Sequence, residues 1–120
     1  YIYIRMIKKI NMNNIYYKYI IPHYKYDIAL IKWNPNVITP IHDHSSNGCN
    51  IYLLSGKLKE DVFKKNKFLY KKNSNYLNMF LDASYIDNNI GYHRVTNLLN
   101  KNTWSLHIYE PKGHKTNFNI

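Results

Sequence analysis

The chain has 120 residues, enough for one domain with a modest core and too few for two. Its 45% hydrophobic and 16% aromatic content excludes disorder, and no apolar run reaches the ~18–20 residues of a membrane helix. A single cysteine excludes an internal disulfide framework and suits a reducing, cytoplasmic setting.

A formal net charge of +10 would attract phosphate backbones. However, Asn, Ile, Lys and Tyr make up 62 of the 120 residues, a bias that an A/T-rich coding sequence produces without selection for charge. There are only two arginines, the side chain favoured for reading bases, so nucleic acid is not expected as a partner. A monomer is expected.

The opening YIYIRMIKKI mixes charge into apolar positions and lacks a small-residue cleavage site, so it does not read as a signal peptide. A first residue of Tyr1 leaves open a fragment or a start at Met6. IRMIKKINMNN reads as a short basic helix or a strand, and YYKYIIPHYKY as an extended segment interrupted by Pro22. DIALIKW has the β-rich alternation of a strand, and NPNVITP is a Pro- and Asn-punctuated turn. IHDH begins another strand, SSNG makes a loop, and CNIYLL resumes the strand. Ser55-Gly56 then reads as the two-residue turn of a hairpin into KLKEDVF. FLYKK, YLNMFL, IGYHRV and SLHIYE are further short strands, with turns at DNN and LNKNT. Many short strands without a long helical period predict an all-β sandwich or barrel.

Within IHDH, residues i and i+2 of a strand share a face, so His42 and His44 project together and Asp43 points away. Pro40 limits the backbone just before them. Two imidazoles so placed can chelate one borderline metal ion, with His93 of GYHRVTN the best third ligand from a distant strand. The bland alternative is a surface or partly buried histidine pair.

His42-Asp43-His44 followed by Gly56 resembles the first motif of the cupin superfamily, with Cys49 where most cupins carry a glutamate. Gly91-Tyr92-His93, with Asn97 four residues on, resembles the second cupin motif. Taken in order, IHDH, SSNGC, LLSGKLKE, IGYHRVTN and SLHIY resemble the cysteine dioxygenase family of thiol dioxygenases, from about Tyr16 to Pro111. The resemblance implies a cupin double-stranded β-helix (jelly-roll) occupying residues 1–120 as a single domain, with a short helical portion allowed at a shortened amino terminus. It implies a mononuclear Fe(II) held by His42, His44 and His93, with open positions for a small thiol substrate and O2. It also implies a thioether bond between Cys49 and Tyr109, with Ser105 and His107 supporting the phenol from the same strand.

Trp33 matches a family tryptophan and is expected to pack near the pocket floor, while Arg94 is expected to form a structural ion pair. The family's carboxylate-binding arginine aligns with Lys18, or by a small slip with Tyr16. Lysine keeps the charge and loses the bidentate fork. Tyr24 and Tyr26 are further candidates for substrate-side hydroxyls. The expected reaction is oxidation of L-cysteine to cysteine sulfinic acid; the alternatives are a dioxygenase for another small thiol and a non-catalytic cupin binding module.

Overall fold

The structure, a computed structural model, describes residues 8–44 and 48–113. The opening segment up to and including Met6 and most of the SSNG loop, at 45–47, lie outside the described residues. Among the described residues there are nine strands: β1 (Lys8–Met12), β2 (Tyr16–Ile21), β3 (Asp27–Trp33), β4 (Cys49–Ser55), β5 (Leu58–Lys65), β6 (Leu69–Leu77), β7 (Ala83–Ile86), β8 (Tyr92–Asn97) and β9 (Thr103–Tyr109). No helix occurs among the described residues. A six-stranded sheet runs β1-β2-β3-β9-β4-β7, and a three-stranded sheet runs β6-β5-β8. All strand pairings are antiparallel.

Strand alternation creates the interior. Ala29, Ile31 and Trp33 of β3, Cys49, Ile51 and Leu53 of β4, and Val95 of β8 point inward and are buried, each large apolar side chain contributing about 1.5–3 kcal/mol. Nine polar or charged side chains are buried beside twelve hydrophobic ones among the described residues. Such burial is costly unless each polar group is bonded, so these groups need partners or a purpose. One cluster is structural: Asn97 Nδ2 donates to the carbonyls of Asn34 (3.0 Å) and Lys101 (2.9 Å), and Asn97 Oδ1 accepts from Thr103 Oγ1 (2.9 Å). It ties two loops together beneath the barrel. The remaining cluster is described below.

One open local reading is settled and three expectations are corrected. KKINM, within the segment readable as helix, is strand β1, paired with β2 through a tight turn in which Asn13 and Asn14 adopt positive φ (53° and 59°). Asparagine tolerates that conformation, and MNNI is therefore a hairpin signal.

Ser55-Gly56 does not close a hairpin, because β4 pairs with β7 and β9 whereas β5 pairs with β6 and β8. The turn carries the chain from one sheet to the other, pressed so close to β9 that a Cβ on Gly56 would lie 2.1 Å from Thr103 Oγ1.

IHDH is not a regular strand. Residues 38–42 run beside β8 with isolated bridges Ile38–Thr96 and His42–His93. Pro40 lies between those bridges and has no N–H for the ladder.

YLNMFL is not a separate strand either: β6 ends at Leu77, and the following turn is held by the Asp82 carboxylate accepting from the backbone N–H of Asn78 and Met79.

Candidate functional site

The interrupted ladder positions the histidines. His42 and His93 exchange backbone bonds in both directions (2.9 and 3.0 Å), which sets their rings face to edge with centroids 4.4 Å apart. His44, 1% exposed, stacks on His93 with centroids 4.8 Å apart. The alternation expected for a regular strand fails at Asp43, which lines the same cavity as its two neighbours. The ladder's irregularity at Pro40 explains the failure.

Tautomers follow from the partners. His42 Nδ1 lies 2.8 Å from Pro40 O, which can only accept, so Nδ1 carries the hydrogen. His93 Nδ1 lies 2.7 Å from Glu60 Oε2 and donates to it. In the neutral form both rings therefore keep their lone pair on Nε2, the arrangement in which outer partners present imidazoles to metals. Burial, and then the neighbouring His93, hold the His42 imidazole well below its ordinary pKa, so it is neutral at pH 7. Among the described residues no group of three or more His, Cys, Asp or Glu side chains is arranged to hold a metal ion as it stands. The fit to a metal rests instead on donor chemistry, namely three clustered imidazoles, of which His42 and His93 have fixed tautomers.

Glu60 was not singled out by the sequence reading. Its carboxylate accepts from His93 Nδ1, from Ser84 Oγ (2.5 Å) and from Asn75 Nδ2 (3.3 Å). Burial would raise its pKa, but those hydrogen bonds and the His93 charge outweigh it, so the carboxyl lies below its ordinary value. The available signal was a Glu-Asp pair inside an otherwise strand-like run. Asp61, the other member, faces the opposite way and pairs with Arg94 (2.9 Å), as expected for that arginine.

The inward face of β9 carries a second set. Trp33 Nε1 donates to Ser105 Oγ (2.8 Å), Ser105 Oγ lies 2.6 Å from His107 Nε2, and His107 Nδ1 lies 3.3 Å from Tyr109 Oη. An indole N–H only donates, so the serine oxygen accepts from Trp33, and the same oxygen bonds His107 Nε2. His107 thus bridges Ser105 and Tyr109 through its two ring nitrogens, the direction of both bonds following its tautomer. Trp33 does pack at the pocket wall, as expected, and it also anchors the first bond of this chain.

Burial lowers the His107 pKa to about 3, with His93 and Lys18 adding to the effect, so the ring is neutral. Cys49 and Tyr109 are direct cross-strand partners. Burial raises the Cys49 thiol to about 12, a hydrogen bond from Tyr109 offsetting only part of it. Burial, then Cys49 and Tyr16, push the Tyr109 phenol well above its ordinary pKa. Both groups are protonated at neutral pH.

A cavity of about 250 Å³ joins the two sets, lined by His42, His44, His93, His107 and Tyr109 together with Tyr16, Lys18 and Trp33. Tyr16 and Lys18 alternate along β2, and the Lys18 Nζ stands 5.3 Å from the centre of the Tyr109 ring. Burial lowers the Lys18 pKa, opposed by Asp27 and then Cys49. Tyr24 and Tyr26 are not brought to this cavity: Tyr24 is 89% exposed, and Tyr26 lines a separate surface groove.

The sequence model of the family "Cysteine dioxygenase type I" matches residues 4–118. The chain belongs to that family. It is 34% identical over 92 residues to human cysteine dioxygenase type 1 and 30% identical over 92 residues to the zebrafish (Danio rerio) protein. Each match covers 72% of this chain and 46% of the relative, so the chain spans about half the length of these relatives.

Among solved structures it resembles Lactobacillus farciminis oxalate decarboxylase (TM-score 0.75, 13% identity, 95% of this chain and 34% of that one). It also resembles the Drosophila melanogaster CENP-C cupin domain (TM-score 0.71, 9% identity, 87% of this chain and 75% of that one). Those likenesses concern the fold, which is the all-β cupin barrel. Lys18 and Tyr16, the two candidates for the place of the family's carboxylate-binding arginine, both line this cavity.

Proposed function

We propose that this chain is an Fe(II)-dependent dioxygenase that converts L-cysteine and O2 to cysteine sulfinic acid. The observation that carries the reading is the meeting of three imidazoles, a phenol and a partly desolvated ammonium around one cavity inside a cysteine dioxygenase family barrel. His42, His44 and His93 would hold the metal. Bound there, Fe(II) supplies a Lewis-acidic, redox-active centre for thiolate and O2. The sum balances without a further reductant: both oxygen atoms end on sulfur, and sulfur supplies the electrons.

The chain's own residues select and orient. Lys18 meets the substrate carboxylate with a single charged donor. Tyr109, held by His107, directs its O–H at the reacting sulfur and oxygen, a donor placed before the charge develops. Burial, with Cys49 and Tyr16 close by, keeps that phenol protonated. The Cys49–Tyr109 thioether forms by loss of the thiol hydrogen and one ring hydrogen, with O2 accepting the two electrons and two protons. A reducing cytoplasm keeps Cys49 available for it.

The lysine favours one second reading, a dioxygenase for another small thiol, because a point charge recognises a carboxylate less specifically than a guanidinium fork. His93→Ala should lose both bound iron and sulfinic acid production, and retained turnover would refute this ligand set. Tyr109→Phe should keep iron while kcat falls about 10²-fold, the usual scale for one preorganised donor; an unchanged kcat would remove the phenol from the reaction.

A further inference from the structure

Glu60 is 2% exposed, at the middle of β5, and its partners come from three other strands: His93 on β8, Ser84 on β7 and Asn75 on β6. An ionised carboxylate this deep is retained only where its bonds are worth more than its lost hydration. The Nδ1 of His42 faces a neutral carbonyl, that of Pro40. The Nδ1 of His93 faces the Glu60 carboxylate instead, at 2.7 Å.

Resting on the metal reading above, we propose that Glu60 is a positioning residue that lends anionic character to the three-histidine set through His93. Glu60 holds the His93 hydrogen on Nδ1 and polarises it, which strengthens donation from Nε2. The negative charge that a carboxylate ligand would supply directly is delivered through the imidazole. The site then binds a divalent ion more tightly and stabilises the higher oxidation state of iron. Ser84 and Asn75 moderate the effect by drawing carboxylate charge away from His93.

Two readouts besides turnover test this: the Kd for Co(II) alone, from its visible absorption, and the Fe(III)/Fe(II) potential of iron-loaded protein. Glu60→Gln keeps an acceptor for His93 and removes the charge. It should weaken Co(II) binding about 10-fold or more and shift the potential positive. Ser84→Ala frees carboxylate charge and should shift the potential negative, a reversal that mere loss of packing does not produce. Co(II) binding within twofold of wild type and an unmoved potential in Glu60→Gln would make Glu60 purely structural. Should Glu60→Gln fail to fold, an unchanged or positive shift in Ser84→Ala would overturn the proposal on its own. Failure of the wild-type chain to bind Co(II) at all would instead overturn the metal reading on which it rests.

Discussion

At the scale of single residues, His107 carries a pH signature. Its folded pKa of about 3 lies below the ordinary 6.5, so an unfolded chain takes up a proton that the folded one refuses. Stability therefore increases with pH through this window and is lost as pH falls from about 6.5 towards 3. His107→Asn should remove about 1.4 kcal/mol per pH unit from the slope of stability between pH 6 and 5. Urea midpoints of metal-free protein at the two pH values measure it; an unchanged slope would mean that the ring is not buried in its neutral form.

Residues differ in how openly the sequence declares them. His42 and His44 are visible because two imidazoles at i and i+2 form a local pattern, and Ser105, His107 and Tyr109 are visible for the same reason. Glu60 is not, because its partner His93 lies 33 positions away and only the pairing of β5 with β8 brings the two together. Lys18 was legible through the family likeness rather than through spacing, and its place on the cavity wall comes from the register of β2 against β3.

At the scale of elements, turn chemistry decides which strands meet. Ser55-Gly56 has the composition of a hairpin turn, yet the contacts of Gly56 with Thr103 belong to a crossing between sheets. Local sequence carries no information about that choice, which β9 makes from almost fifty residues away. Gly56 and Gly113 have nearly equal positive φ (95° and 92°), but a Cβ on Gly113 meets nothing within 4 Å. Ala at Gly113 should therefore cost about 1–2 kcal/mol from backbone strain alone. Ala at Gly56 should cost distinctly more, because Thr103 must also move. Equal denaturation midpoints for the two variants would refute the close-packed crossing. The β3, β4, β5, β8 and β9 cores were legible from β-rich patterns, whereas β7, four residues with a largely exposed pattern, offers almost no period to read.

At the scale of the whole molecule, the cavity belongs to both sheets. His93 comes from the three-stranded sheet, Lys18, Trp33, His107 and Tyr109 come from the six-stranded one, and His42 and His44 come from the segment linking β3 to β4, which is bridged to β8 at His42. Fold class was legible because motif order implied a cupin; sheet order was not, since it depends on pairings that no short stretch encodes. The proposed division of labour follows this layout: three imidazoles on one side, and a phenol and a cation on the other, with the substrate to be held between them.

The most direct test of that division is product analysis. The chain is loaded anaerobically with Fe(II), mixed with L-cysteine and exposed to isotopically labelled O2, and the product is read by mass spectrometry. Cysteine sulfinic acid carrying two labelled oxygen atoms, absent without iron, is the predicted result. Stoichiometric bound iron with no sulfinic acid from L-cysteine would contradict it.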